Sequence, residues 1–120
     1  MKRFTQRQGG RIINLTSGQS LGPMVGNIAY AATKGAIDAF TITLSAEVSS
    51  KGITVNAINP GPTDTGWMND EAKKYILSKS PAGRIGKPNN VSRLIGSIAG
   101  EDADWITGQI FHSKGGFQRN

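Results

Sequence analysis

The chain of 120 residues contains no cysteine. Disulfide scaffolds and cysteine-based zinc or redox sites are therefore excluded, and this composition fits a reducing compartment. His112 is the only histidine, and no carboxylate or second histidine stands at ligand spacing from it. We therefore predict no metal site and expect His112 to have a structural role in a buried strand.

Long apolar runs are also missing. No segment approaches the roughly eighteen consecutive apolar residues that a membrane-spanning helix needs. The basic first residues lead into no apolar segment of the signal-peptide type. We therefore expect a cytoplasmic protein that has no membrane partner.

Acidic residues are few, with 8 Asp and Glu against 14 Lys and Arg, which gives a formal net charge of +6. A basic balance of this kind raises nucleic acid as a partner. Four of the basic residues, however, lie in the first eleven positions, and the others are scattered without aromatic interleaving or a nucleic-acid motif. We therefore predict no nucleic-acid partner and keep a basic nucleic-acid binder only as an alternative.

A single α/β domain over residues 1–120 accounts for the length, the 37% hydrophobic content and the 16 glycines. Residues 1–8 are predicted to be the polar end of a helix. Periodicity and punctuating Gly, Pro and Asn residues predict strands at 11–16, 53–59 and 109–113, a long helix from Ile28 to Ser50, a short helix after Asn69 and a helix between Pro88 and Gly100. This order of elements indicates a parallel sheet with helical cover.

Tyr30 and Lys34 stand four residues apart at the start of the long predicted helix, so they share one face about one turn apart. A phenol is a poor proton donor at neutral pH unless a nearby cation stabilises its phenolate, which the Lys34 ammonium can do. Ser17 ends the first strand, where its hydroxyl could hold a substrate carbonyl beside the phenol. The three residues predict acid catalysis, with a shielded helix end and a strand-end cap as the alternative interpretation.

The long helix has two contrasting faces. One is a core-facing stripe that continues from Tyr30 and Lys34 through Ile37, Thr41, Leu44 and Val48. The other carries only small residues, namely Ala32, Gly35, Ala39, Thr43 and Ala46. Because small side chains let another helix approach closely, we expect this helix to pack on a second subunit and to make the protein a homo-oligomer, either a dimer or a tetramer.

Six segments follow one another along the chain in a distinctive order. They are GRIINLTS at 10–17, YAATKGA at 30–36, GITVNAINPG at 52–61, GRIGKP at 83–88, WITGQ at 105–109 and GG at 115–116. Jointly they resemble the C-terminal half of a short-chain dehydrogenase/reductase, and within that family the 3-oxoacyl-(acyl-carrier-protein) reductase-like branch. The resemblance covers almost the whole chain. It implies an α/β fold, a Rossmann-like doubly wound parallel sheet, of which this chain holds the C-terminal half only.

The resemblance also implies a reaction, the NAD(P)(H)-dependent reduction of a 3-oxoacyl-thioester-like or other ketone to an alcohol. Tyr30 would give a proton to the carbonyl, or accept one from an alcohol. Lys34 would support the phenolate and hydrogen-bond the nicotinamide ribose, and Ser17 would orient the substrate oxygen. The cofactor would be NADP or NAD, with NADP favoured, and the partner a small-molecule substrate.

Further contacts follow from the same resemblance. Cofactor binding would involve Tyr30, Lys34, Pro60, Gly61, Thr63 and Thr65, with Thr65 near the phosphates. Substrate binding would involve Ser17 together with Trp67 and Met68, which would form part of a mobile lid. As an alternative, Trp67 and Met68 are ordinary core or interface anchors, and Thr65 is a loop hydroxyl.

The chain departs from the family pattern in one respect. Family members are roughly twice this length and begin with a βαβ unit whose Thr-Gly-x-x-x-Gly-x-Gly turn binds the cofactor pyrophosphate, and no such turn occurs in this sequence. We therefore expect a truncated product or half-gene that is inactive alone. The alternative function is that of a non-catalytic remnant, which acts only as an oligomerisation or binding module.

Overall fold

Three parallel strands form the sheet of this protein in a computed structural model that describes residues 9–118. The strands are β1 (Gly10–Leu15), β2 (Ile53–Asn59) and β3 (Ile110–His112), and they lie side by side in that order. β1 pairs with β2 from Gly10 opposite Ile53 to Leu15 opposite Ile58. The predicted parallel sheet is confirmed, whereas the helix predicted at residues 1–8 lies outside the described residues.

The helices are α1 (Ile28–Val48), α2 (Asp70–Ser78) and α3 (Pro88–Ala99). α1 ends two residues before the predicted Ser50, because the chain tightens into a 3-10 turn over Ser49–Lys51. Gly52 then reverses the chain with a φ of 74°, a left-handed conformation that glycine adopts without strain. Asn69 begins α2 as a true N-cap, since its side chain accepts a hydrogen bond from the Ala72 N–H at 2.8 Å.

Residues 9–118 include no helix with both the length and the hydropathy needed to cross a bilayer.

The core is centred on β2, whose seven residues are all buried. Five of its seven residues are apolar or β-branched, as expected for a strand covered on both faces. Asn56, one of its two buried amides, is satisfied, because Nδ2 donates to the Ile106 carbonyl and Oδ1 accepts from the Gln109 N–H, each at 3.0 Å. β3 is shorter than the predicted strand, and His112 is exposed rather than buried because it lies at the end of this edge strand.

The carboxyl ends of all three strands lie at one edge of the sheet, which we call the carboxyl edge. Thr16 and Ser17 follow β1, the Pro60-Gly61 turn follows β2, and Ser113 follows β3. Ligands of open α/β sheets bind at this edge. The topology therefore brings the residues of the predicted site together although they are far apart in the sequence.

Candidate active site

A cavity of about 290 Å³ opens at the carboxyl edge of the sheet. Ser17, Tyr30, Pro60 and Gly61 line it. These four residues come from the end of β1, the first turn of α1 and the turn after β2. The structure thus brings together four of the nine residues that the sequence assigned to the site.

Tyr30 reaches this cavity from the first turn of α1, and half of its side chain is exposed. Lys34 lies one turn further along the helix, with its Nζ 5.8 Å from the centroid of the Tyr30 ring. The same Nζ donates to the carbonyl oxygen of Leu15 at 3.3 Å. The ammonium is therefore tied to the end of β1 and held beside the aromatic ring.

Ser17 is 8% exposed and lies where β1 opens into the following loop. Its hydroxyl donates to Oε1 of Gln19 at 2.8 Å. The Gln19 amide in turn donates to Asp38 of α1, which also accepts from the Thr16 hydroxyl at 2.5 Å. Four polar side chains therefore form one hydrogen-bonded chain between β1 and α1, which we call the Asp38 network (Thr16, Ser17, Gln19 and Asp38).

The turn after β2 is fixed by Asn59, whose Oδ1 accepts from the Gly61 N–H at 3.0 Å. The Asn59 amide nitrogen lies 3.0 Å from Nδ1 of His112, so it links β2 to β3. Gly61 has a φ of 67°, and a Cβ on this residue would lie 2.5 Å from the Lys114 Cβ. Only glycine fits here, because both the backbone angle and the close approach of Lys114 exclude a larger residue.

Among residues 9–118, no cluster of three or more His, Asp or Glu side chains has an arrangement that could hold a metal ion.

The family model described as enoyl-(acyl carrier protein) reductase matches residues 1–118. This chain belongs to the short-chain dehydrogenase/reductase family. Members of this family are oxidoreductases that bind NAD(P). The family expected from the motifs is therefore confirmed.

Similar proteins include an uncharacterized oxidoreductase, YjdA, of Bacillus subtilis, which is 61% identical over 110 residues, or 92% of this chain and 44% of the relative. An NADPH-dependent aldehyde reductase-like chloroplastic protein of Arabidopsis thaliana is 40% identical over 119 residues, or 96% of this chain and 44% of the relative. The 3-oxoacyl-(acyl-carrier-protein) reductase FabG of Vibrio cholerae is 36% identical over 121 residues, or 97% of this chain and 49% of the relative. The chain spans about half the length of these curated relatives.

Solved structures show the same fold. The angucycline C-6 ketoreductase LanV, crystallised with bound NADP, superposes with a TM-score of 0.84 and 33% identity, over 91% of this chain and 44% of that protein. The promiscuous reductase LugOII gives a TM-score of 0.82 and 33% identity over the same shares. The predicted Rossmann-like fold of a short-chain dehydrogenase/reductase is thus confirmed.

Four family-derived positions follow the turn after β2 and do not line the cavity, namely Thr63, Thr65, Trp67 and Met68. Thr63 donates to the Gly61 carbonyl at 3.2 Å, and Thr65 is exposed. Trp67 is 62% exposed, and its indole N–H donates to the Thr63 carbonyl at 2.9 Å. Met68 is buried among the core residues. The lid formed by Trp67 and Met68 and the cofactor contacts of Thr63 and Thr65 stay predictions.

The sequence did not predict the residues that complete the lining of the cavity. They include Leu21 and Met24 of the loop before α1, together with Lys114 and Phe117 after β3. The Lys114 ammonium donates to the Phe117 carbonyl, and the Phe117 N–H donates to the Lys114 carbonyl, so the segment after β3 forms a turn. The carboxyl-edge rule could have indicated Lys114, since this residue follows the last strand. The loop residues carry no periodic signal that could have indicated them.

Proposed function

We propose that the protein containing this chain reduces a carbonyl group of a small organic molecule to an alcohol, with NAD(P)H as the hydride donor and Tyr30 as the proton donor. One observation carries the proposal: a single cavity is lined by Ser17, Tyr30 and the Pro60-Gly61 turn, with the Lys34 ammonium beside the phenol ring. Family membership supports the same reaction class. Because the chain spans about half of its relatives, the proposal concerns the whole protein.

The residues present fit the nicotinamide end of the cofactor. A cavity of about 290 Å³ is at the lower end of the volumes that hold small ligands, so it suits a ring and a reacting group rather than a whole dinucleotide. Proline rings at positions 60 and 62 give it an apolar side, and hydroxyls of Ser17 and Tyr30 give it a polar side. Tyr30 and Lys34 would lie at the nicotinamide and its ribose. The Pro60-Gly61 turn and the backbone near Thr63 would hold the nicotinamide carboxamide, and Thr65 would lie near the cofactor phosphates.

When bound, the reduced cofactor supplies a hydride to the carbonyl carbon. The Tyr30 hydroxyl gives its proton to the carbonyl oxygen, so the phenolic O–H bond breaks and the alcohol O–H bond forms. The phenolate left on Tyr30 is stabilised by the Lys34 ammonium. In the oxidation of an alcohol the same phenolate would accept the proton. Ser17 holds the substrate oxygen near Tyr30, since both residues line one cavity.

Finer features of this function are part of the same proposal. NADP is favoured over NAD, and a neighbour in fold is a ketoreductase with NADP bound. The substrate is a 3-oxoacyl-thioester-like or other ketone, as the match to FabG proteins supports. The protein works in the cytoplasm as a homo-oligomer that pairs through the exposed small-residue face of α1.

A second candidate function is that of a non-catalytic module that associates through α1. Ile28, Phe40 and Ile42 of this helix are exposed apolar side chains. Such side chains on one helix favour association with another surface. A module of this kind would show no saturable binding of NADPH.

The test is titration with NADPH, followed by its fluorescence, and then turnover with ethyl acetoacetate as a ketone probe. Tyr30→Phe should lower turnover by about 10²- to 10⁴-fold, because the proton donor is removed, and should weaken NADPH binding far less. Tyr75→Phe is the matched control, since Tyr75 is the only other tyrosine and lies outside the cavity. Equal turnover in the two variants, with the wild type active, would contradict the role of Tyr30.

A further inference from the structure

Ser17 is held by a polar chain that extends away from the cavity. The Ser17 hydroxyl donates to the Gln19 carbonyl oxygen, and the Gln19 amide nitrogen donates to Asp38. Asp38 lies one turn beyond Lys34 on the same face of α1 and is half-buried. Gln19 and Asp38 do not line the cavity. Asp38 reaches Ser17 through Gln19, and it separately accepts from Thr16, which also lines the cavity.

The direction of every hydrogen bond in this chain follows from Asp38. An ionised carboxylate has only acceptors, so the group that Gln19 turns towards it must be the NH₂. The carbonyl oxygen of Gln19 is then left to face Ser17, and it can only accept. A serine hydroxyl can donate one hydrogen bond, and here Ser17 donates it to the carbonyl oxygen of Gln19. The Ser17 oxygen therefore offers only lone pairs to the cavity.

We propose that Asp38, acting through Gln19, is a positioning residue that makes Ser17 a hydrogen-bond acceptor, so that the cavity favours an alcohol over the corresponding ketone. An alcohol can donate its O–H to the Ser17 oxygen without disturbing the network. A ketone oxygen only accepts, so Ser17 must first leave Gln19 before it can donate to the ketone. This inference rests on the proposed function, in which Ser17 contacts the substrate oxygen.

Two substitutions release the Ser17 proton. Gln19→Leu removes the acceptor directly. Asp38→Leu removes the group that orients Gln19, so the amide can rotate and donate to the Ser17 oxygen while Ser17 donates to the ligand. Because Asp38 reaches Ser17 through Gln19, Asp38→Leu should not change the relative affinity for ketone and alcohol any further in a Gln19→Leu background. A merely structural contribution of Asp38 to α1 would persist in that double variant.

The first measurement is the NMR signal of the Gln19 side-chain amide in the full chain without ligand. In the wild type this signal should carry the shift of an N–H bonded to a carboxylate. In Asp38→Leu the signal should lose this shift, because the amide then faces the Ser17 oxygen or solvent instead of a carboxylate. Glu47→Leu is the matched control, since it removes an exposed carboxylate from the same helix, and it should leave the Gln19 signal in place. An unmoved signal in Asp38→Leu would overturn the proposal.

The second measurement compares two probes of one skeleton, ethyl acetoacetate and ethyl 3-hydroxybutyrate, by titration of the cofactor-free full chain. The ratio of the dissociation constant of the ketone to that of the alcohol should fall about two- to tenfold in Gln19→Leu and in Asp38→Leu, which is the range expected for one neutral hydrogen bond. The ratio should stay unchanged in Glu47→Leu. An equal loss of affinity for both probes, or an unchanged ratio, would overturn the proposal.

The two measurements separate this inference from the proposed function. If neither probe perturbs the residues of the cavity in the wild type, the proposed substrate contact of Ser17 fails, and the Gln19 signal still decides whether Asp38 orients the network. If the probes bind and the Gln19 signal moves but the ratio does not, the carbonyl-reduction site stands and the assignment of Asp38 as a positioning residue is wrong.

Discussion

The first turn of α1 and the middle of the same helix differ in how far their side chains are buried. Ile28 is 85% exposed and Tyr30 is half-exposed, whereas Thr41 is fully buried and Ser45 nearly so. Thr41 accepts from the Asn14 amide of β1 at 3.0 Å, and Ser45 packs against the loop that precedes β3. The middle of the helix therefore fixes its position on the sheet, while the first turn presents a reactive side chain at an open edge.

This difference implies that changes in the first two turns, which carry Tyr30 and Lys34, alter chemistry with little loss of stability, and that changes in the middle do the reverse. Functional residues often lie on rigid elements whose stability comes from elsewhere. Four substitutions test the contrast, and they follow in order of decreasing expected effect.

Lys34→Met should have the largest effect, and it should be on catalysis. Loss of the ammonium beside the Tyr30 ring should lower turnover of ethyl acetoacetate by about 10²- to 10⁴-fold, because the phenolate is no longer stabilised. The free energy of unfolding should change by less than about 1 kcal/mol, since the amine makes one long bond to a backbone carbonyl. Steady-state kinetics and urea unfolding measure the two effects. Lys34→Arg, which keeps the charge, should retain more activity.

Gly108→Ala should be the most destabilising change near the middle of the helix. Gly108 has a φ of 72°, and a Cβ there would lie 2.8 Å from the Ser45 Oγ. We expect the free energy of unfolding to fall by roughly 2–4 kcal/mol. Adding Ser45→Ala removes the clashing oxygen and should recover about 1 kcal/mol in urea unfolding. Strictly additive losses would show that the helix does not pack tightly here.

Thr41→Val should cost about 1–3 kcal/mol of unfolding free energy, because the shape is kept while the Asn14 amide loses its acceptor. Turnover should be little changed. Thr43→Val is the control, since Thr43 is exposed on the same helix and its replacement should change stability by less than about 0.5 kcal/mol. Equal melting temperatures for the two variants would contradict the anchoring role of Thr41.

Ile28→Ser should have the smallest effect, a change within about 0.5 kcal/mol, because this side chain is almost fully exposed. Urea unfolding at low and high protein concentration checks this expectation. A loss of stability seen only at high concentration would show that Ile28 is buried against a second subunit, which would sharpen the proposal that α1 forms an interface.

Local sequence predicted the parts of the site that lie on regular elements. The i, i+4 spacing put Tyr30 and Lys34 on one helical face, and the end of an apolar run put Ser17 at the end of a strand. Residues that follow a strand were harder to place. Trp67 and Met68 come after the same turn, yet one is exposed and the other is buried, because the path of a loop has no period in the sequence.

The Asp38 network could not be predicted from local sequence. Gln19 and Asp38 are nineteen positions apart, and they meet only because α1 packs across the end of β1. The sequence did contain a signal, since Asp38 and Glu47 are the only charged residues between Gly35 and Ser50. An acid on the core-facing side of a helix requires a hydrogen-bonding partner, and Thr16 and Gln19 provide it.

Because β2 is completely buried, it provides an internal reference for rates of hydrogen exchange. This strand lies between β1 and β3 and all of its residues are buried, so the deuterium uptake of its amides should be the slowest in residues 9–118 and should require global opening. The loop from Ser17 to Asn27 should take up deuterium much faster. Slower uptake in that loop alone, measured against the unchanged rate of β2, would reveal where a ligand docks without any assumption about its chemistry.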